Sequence, residues 1–256
     1  MALFPLLIAL ISLGLAILVN YLADVLPQTR RFTRPTCPHC ATPLITRDYL
    51  LMRSCRNCRQ RRSNRSFFVL LLGIPSGLYV WFTEPKLGLI LGLLLLTYLA
   101  VVLVIDVEHR AILHETSYFG AALGLMAGTY LHSIPQGQTL LEGLTTSLLG
   151  GAAGFLIMYV LYLFGELFSR WLSRRRGEPI EEVALGFGDV NLTGVLGLVL
   201  GWPSILIGLF FAILASGLAS ILIVAFSLAT RRYRAFMAIP YAPFLIFGAL
   251  MLLYKP

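Results

Sequence analysis

Charge is scarce in this chain of 256 residues: Asp, Glu, Lys and Arg together make up 12% of it, against about 25% in an ordinary soluble domain. That leaves too little polar surface to cover a polypeptide that is 58% hydrophobic, with mean hydropathy +0.82, so a soluble globular fold is excluded. Cysteine is scarce too, with four in 28.3 kDa, which rules out a disulfide-stapled scaffold. Acid is the scarcer charge, 12 Asp+Glu against 20 Lys+Arg. The excess of base does not point to nucleic acid, because the aromatic residues stand in the apolar runs and not among the arginines. What is present in quantity is hydrocarbon. Long apolar runs exclude disorder and imply an all-α, polytopic integral membrane protein.

A bilayer core about 30 Å thick needs about 20 helical residues to cross it. Eight segments are expected to be transmembrane helices: Leu3–Leu22, Phe67–Phe82, Leu87–Ile105, Ser117–Leu131, Leu144–Phe168, Asp189–Trp202, Ser204–Ala229 and Phe236–Tyr254. The first reads as a span and not a cleaved signal, since no cation precedes it and arginines follow it. Ten arginines lie between Asp24 and Ser66. Placing that stretch in the cytosol and alternating from there puts 18 of the 20 Lys+Arg inside, leaving only Lys86 and Lys255 outside. The same basic stretch suits contact with membrane lipid.

This topology sets Asp106, at the end of the third span, and Asp189, at the start of the sixth, at the same cytosolic membrane face. Carboxylates beside hydrocarbon are costly, so both are functional candidates. Each also has a plain structural reading, Asp106 as a solvated helix end and Asp189 as a helix N-cap. Gly186 and Gly188, just ahead of Asp189, remove side chains where an extended substrate backbone would approach. The sixth span is short, with 183–187 expected as irregular backbone, which is tolerated at membrane depth only where protein or water covers it. Two facing carboxyls share one proton; the ionised partner can take a proton from water while the acid polarises a peptide carbonyl. The chemistry expected is aspartyl peptide hydrolysis at Asp106 and Asp189, with no covalent intermediate.

Cys37-Pro-His-Cys40 and Cys55-Arg-Asn-Cys58 form a C-x2-C-x14-C-x2-C pattern in the basic loop. Two such knuckles are the sequence form of a tetrahedral four-cysteine zinc site, closed to substrate and therefore structural. A competing metal set, Glu108, His109, His114 and Glu115, lacks the H-E-x-x-H spacing of a zinc protease, and no G-x-S-x-G elbow occurs. His132 falls on the external side and reads as structural.

At this point the motifs resemble a known family. Ile105-Asp106-Val107-Glu108-His109-Arg110 is similar to the first catalytic motif of the type IV prepilin peptidases, bacterial GxGD-type membrane aspartic proteases, and Gly186-Phe187-Gly188-Asp189-Val190-Asn191-Leu192 resembles their GxGD motif. The run 238–245, Ala-Ile-Pro-Tyr-Ala-Pro-Phe-Leu, matches a Pro-aromatic-small-Pro motif near the family's C-terminus, and the cysteine quartet with Asn20 and Leu26-Pro27 matches its N-terminal region. The resemblance implies cleavage of prepilin or pseudopilin leaders in type IV pilus, type II secretion or competence systems, after a glycine and before the hydrophobic helix. It also implies, for many members, N-methylation of the new N-terminus with S-adenosylmethionine. Residues 1–66 would then be a first transmembrane helix with the zinc loop, the methyltransferase-like region, and 67–256 the peptidase domain of an enzyme in the bacterial inner membrane. Asp106 and Asp189 map onto the catalytic pair, with Gly186, Gly188 and Glu108 at the substrate. Glu115, Glu178, Glu181 and Glu182 are further groups suited to a basic leader.

Leu113 and Asn191 stand where the family usually has proline and lysine; neither supplies an essential acid or base. Val25 and Leu70 stand where it usually has arginine and an acid, and this counts against methyl transfer, since a cationic cofactor and an amine nucleophile want a carboxylate nearby. Two other functions fit a polytopic chain. A proton-coupled transporter would want acids near the membrane midplane, and a non-catalytic zinc-ribbon assembly protein would need no acid pair at all.

Overall fold

The computed structural model describes residues 3–61, 63–83, 86–176, 186–230 and 240–254. Among these the regular structure is helical, apart from a single bridge between Thr36 and Pro43. The helices are α1 (Leu3–Thr29), α2 (Thr46–Leu50), α3 (Asn64–Thr83), α4 (Gly88–His109), α5 (His114–Ser133), α6 (Leu140–Arg176), α7 (Phe187–Leu200), α8 (Ser204–Ala229) and α9 (Ala242–Leu253), with a 3₁₀ turn at Ile134–Gln136.

Five of these, α1, α3, α4, α6 and α8, are long and apolar enough to cross a membrane. The remaining expected spans fall on α5, α7 and α9. α5 has 20 residues but carries His114, Glu115 and His132. α7 and α9 have 14 and 12 residues, reaching about 21 and 18 Å at 1.5 Å per residue. α1 runs seven residues beyond the expected end of the first span and carries Pro27 inside its last turn. α7 starts at Phe187, so the irregular stretch expected at 183–187 ends at Gly186; residues 183–185 lie outside the described residues. The last helix starts at Ala242, with Pro243 in its first turn where a missing N–H costs nothing. Residues 236–239 of the expected final span are also outside the described residues.

The chain forms two compact units, Met1–Ile105 and Asp106–Lys255, dividing inside α4. In the first, α1 and α3 meet through small residues one turn apart. A Cβ on Gly73 would stand 2.6 Å from the Ala16 methyl, and one on Gly77 would strike the Ser12 hydroxyl. Asn20 of α1 donates to the Ser66 carbonyl at the start of α3, at 3.1 Å. This is helix packing of the membrane kind, in which close backbone approach replaces a hydrophobic driving force that lipid does not provide.

In the second unit the same device recurs twice. Gly150 of α6 and Gly197 of α7 lie so close that a Cβ on either would strike the other's carbonyl. Gly154 faces the Thr193 carbonyl, whose oxygen would stand only 2.7 Å from an added Cβ. α8 and α9 meet at Gly248, where a Cβ would strike the Gly208 carbonyl. The far end of α7 is tied down by His132, whose ring lies 3.3 Å from the Val199 carbonyl, and by Ser147, whose hydroxyl donates to the Leu198 carbonyl at 2.5 Å. His132 is thus a buried structural group, as its sequence context suggests.

Because Gly197 has no room for a methyl group, Gly197→Ala should destabilise by about 1–3 kcal/mol, the range for overpacking. Gly217 of α8 has nothing within 4 Å of the equivalent position, so Gly217→Ala should be neutral or stabilise by up to about 1 kcal/mol. Melting temperatures of the two variants in one detergent would check the contrast.

Candidate active site

Asp106 lies in the last turn of α4 and is 5% exposed. Arg110 ends that helix: it takes a left-handed conformation, φ 50°, and its N–H donates to the Asp106 carbonyl at 2.7 Å. The backbone N–H of Ala242, the first residue of α9, is directed at the Asp106 carboxyl, and the Arg110 charge acts on it as well. The Asp106 Oδ2 is buried and has no hydrogen-bond partner among the described residues.

Asp189 lies in the first turn of α7 and is 9% exposed. Its Oδ2 accepts the Gly186 N–H at 3.1 Å, and its own N–H donates to the Gly186 carbonyl at 3.0 Å. The carboxyl therefore serves the helix start from the third helical position, reaching back to an extended Gly186 (φ −80°, ψ 148°). One turn on, the buried Thr193 hydroxyl donates to the Asp189 carbonyl at 2.7 Å. The charges of Asp106 and Asp189 act on each other, although 82 residues separate them in the chain. Tyr241 belongs to the same neighbourhood, feeling the Asp189 charge and standing beside Ser216 of α8.

Two further features hold the α7 start in place. Phe187 makes edge-on contacts with Phe155, Tyr159 and Tyr162 of α6, at centroid distances of 6.4, 6.4 and 5.9 Å. Gly188 packs against the connection between α4 and α5, where a Cβ would stand 2.8 Å from the Ile112 Cβ. The second glycine of the motif thus has a packing role: it lets the segment after Asp106 lie directly on the turn that carries Asp189. A Cβ on Gly186 would meet only Asp189 Oδ2, at 3.5 Å. Glu108 is exposed, two residues past Asp106 and so on a different side of α4.

A cavity of about 680 Å³ opens between α5, α6 and α7, lined by His114, Tyr118, Phe155, Phe187, Asn191 and Leu198 among others. Phe187, Asn191 and Leu198 share one side of α7, and Asp189 points from the other, so this cavity does not hold the acid pair. Glu178, Glu181 and Glu182 fall outside the described residues. Glu108, His109, His114 and Glu115 do not gather into a possible metal site; among the described residues the one such group is Cys37, Cys40, Cys55 and Cys58.

The four cysteine sulfurs lie within 4.8 Å of one another, with 3.6 Å between Cys37 and Cys58 and between Cys40 and Cys55. Thiolates held at about 2.3 Å in a tetrahedron stand about 3.8 Å apart, so the set fits a metal of that kind. The two knuckles are copies of one shape. Cys37 N–H donates to Thr42 O (2.9 Å) and Ala41 N–H to Cys37 O (2.9 Å); Cys55 N–H donates to Gln60 O (3.0 Å) and Arg59 N–H to Cys55 O (2.8 Å). Ala41 and Arg59 both take positive φ, 54° and 55°, a conformation that costs a non-glycine residue about 1–2 kcal/mol. The Thr42 hydroxyl, 3.2 Å from the Cys40 sulfur, and then its backbone lower the Cys40 thiol from its ordinary range.

A polar cluster around Asp24 escaped the sequence reading. Asp24, near the end of α1, pairs with Arg65 at the start of α3 and accepts the Tyr49 hydroxyl at 2.5 Å, tying the cysteine segment to both helices. The available signal was that Asp24 is the only acid before Asp48.

Residues 93–224 match the model of the type IV leader peptidase family. The chain belongs to this family. The matched stretch contains both Asp106 and Asp189. Similar proteins include a prepilin leader peptidase/N-methyltransferase of Aeromonas hydrophila, 27% identical over 240 residues covering 90% of this chain and 75% of the relative. A protein of the same name from Klebsiella pneumoniae is 28% identical over 183 residues, covering 68% of this chain and 72% of the relative. One from Pectobacterium carotovorum subsp. carotovorum is 25% identical over 184 residues, covering 66% and 57%. No solved structure matches the chain.

Metal analysis of the purified protein should find about one tightly held ion per chain, lost in Cys37→Ser. Stripping the metal should speed tryptic cleavage at the exposed arginines of residues 36–61 at least about tenfold, because such sites fold with their metal. Unchanged cleavage after stripping would show that the knuckles hold their shape without one.

Proposed function

We propose that this family member is a prepilin peptidase, cutting the leaders of type IV prepilins or pseudopilins, with Asp106 and Asp189 as the catalytic pair. The observation that carries the reading is the burial of these two carboxyls, at the end of one apolar helix and the start of another, with the Asp106 charge acting on Asp189. In this reading the two share a proton. The ionised partner takes a proton from a water molecule, whose oxygen adds to the scissile carbonyl carbon while the other carboxyl donates a hydrogen bond to the carbonyl oxygen. Collapse of the resulting diol breaks the C–N bond, and the departing amine takes up a proton from the pair. Water is the only co-reactant, and the products are the free leader acid and a new N-terminal amine.

The distribution of base supports a cytosolic site in the bacterial inner membrane, with lipid around the helices. A short basic leader stays inside while its apolar helix enters the bilayer, which brings the bond between them to the depth of the two aspartates. Residues 67–256 form the peptidase domain in this reading. Residues 1–66 supply α1 and a structural zinc site at Cys37, Cys40, Cys55 and Cys58. In this reading Gly186 and Glu108 line the path of the substrate, while Gly188, expected there too, packs on Ile112. N-methylation is part of the relatives' names; here Val25 and Leu70 depart from the family pattern, while Asp24 puts a carboxylate one residue from Val25 but already engaged by Arg65 and Tyr49.

Incubating the purified protein with a prepilin peptide and weighing the products tests both activities at once, since one mass spectrum reports hydrolysis and any added methyl group. Asp106→Asn and Asp189→Asn should each lower kcat by about 10²–10⁴-fold, the worth of a positioned acid or base, with normal expression. Full cleavage by both single variants would end the reading. Gly188→Ala should lower cleavage by displacing Ile112, and adding Ile112→Ala should restore part of it. A loss that the second change does not touch would place Gly188 at the substrate.

A further inference from the structure

The segment between α1 and α3 carries a charge that its own acids do not balance. Within residues 30–61 the one acid is Asp48, which is buried and taken by Arg56 at 2.6 Å and Arg53 at 3.9 Å. Asp24, the nearest acid outside, is taken by Arg65. Arg30, Arg31, Arg34, Arg47, Arg59 and Arg61 are all exposed and have no acidic partner among the described residues. These six cations fall within 32 residues of chain, and like charges repel one another where nothing anionic is near.

The same segment exposes apolar side chains that a solvent-facing metal knuckle has no use for. Phe32 is 79% exposed, Leu51 55%, Ile45 53% and Leu50 48%. The segment is also tethered at both ends: α1 and α3 are each long and apolar enough to cross a membrane, so the chain between them stays beside the leaflet from which they emerge. Nucleic acid would neutralise the arginines and leave Ile45, Leu50 and Leu51 in water, and an apolar protein groove would do the reverse. A surface of anionic phospholipid satisfies both sets at once, with phosphate for the guanidinium groups and the acyl boundary for the apolar ones. Arginine suits this role because its planar fork bonds phosphate oxygens in pairs.

We propose that residues 30–61 are an anionic-lipid docking face, in which the six arginines bind phosphodiester headgroups while Phe32, Ile45, Leu50 and Leu51 enter the headgroup boundary. The cysteine cluster holds this face in shape, and the inference does not depend on the peptidase reading.

The test is hydrogen exchange of the full-length protein in nanodiscs of phosphatidylcholine alone and of phosphatidylcholine with phosphatidylglycerol. Amides of residues 30–61 should exchange several-fold more slowly in the anionic discs, while amides within the membrane helices stay unchanged. High salt should remove the difference, and so should replacing the six arginines together by glutamine with metal content retained. If that variant loses metal, Arg30→Gln with Arg31→Gln and Arg34→Gln, all outside the knuckles, should still remove part of it. Equal exchange in both discs would overturn the proposal. So would slowing that persists without the arginines, or that inorganic phosphate or RNA reproduces in phosphatidylcholine discs.

Discussion

Two carboxyl side chains, each at least nine-tenths hidden, lie in the Asp106–Lys255 unit with the Asp106 charge acting on Asp189, and burying such groups is costly. The donors that face them come from backbone: the Gly186 N–H at the start of α7 and the Ala242 N–H at the start of α9. Both belong to the first turn of a helix, where N–H groups lack intrahelical partners and the helix dipole favours negative charge. The carboxyls and the helix starts therefore satisfy each other. The arrangement holds only if α7 and α9 begin where they do, so the packing of both helices is subordinate to it.

Within a bilayer that packing cannot draw on the exclusion of water from apolar faces. The outward surface of α8 shows this, with Leu214, Leu218, Ile221 and Leu222 all exposed; lipid is as good a solvent for them as another helix. Close contact is available instead where side chains are missing. α7 is gripped along its length by α6 through Gly150 and Gly197 and through Gly154, and α9 is gripped by α8 through Gly208 and Gly248. Van der Waals contact falls away within a fraction of an ångström, so backbones that touch fix helix position more tightly than long side chains would. A methyl group added at the middle of α7 would shift the same helix that presents Asp189.

How much of this could be read from the residues depends on whether the signal is carried by side-chain type or by fold. The apolar runs locate the helices, and the cysteine spacing locates the knuckles, because both are properties of composition along the chain. Helix ends are less legible: α1 continues through Asp24 to Thr29, since nothing local stops it before Arg30 adopts a left-handed turn. The Ala242 N–H is invisible in the sequence, because every residue except proline has one. Gly188 was legible as a place where backbone comes close, but not that the close neighbour is Ile112. The Asp24, Arg65 and Tyr49 cluster joins residues up to 41 positions apart, and only the docking of α1 on α3 brings them together.

Acid is the rare commodity in this protein, and its placement is the strongest argument about which residue does something other than hold the fold. Three acids are buried among the described residues: Asp48, Asp106 and Asp189. Asp48 is neutralised by Arg56 and braces the cysteine segment, and Asp189 accepts the N–H that starts α7. Asp106 differs. One of its oxygens is buried with no hydrogen-bond partner among the described residues, at a cost of about 1–3 kcal/mol for such a group. A helix end needing only a polar residue would have been served by one that reaches solvent, as Glu108 does two positions further on. An acid buried at 106 whose charge acts on a second buried acid is the arrangement on which the proposed peptidase reading rests.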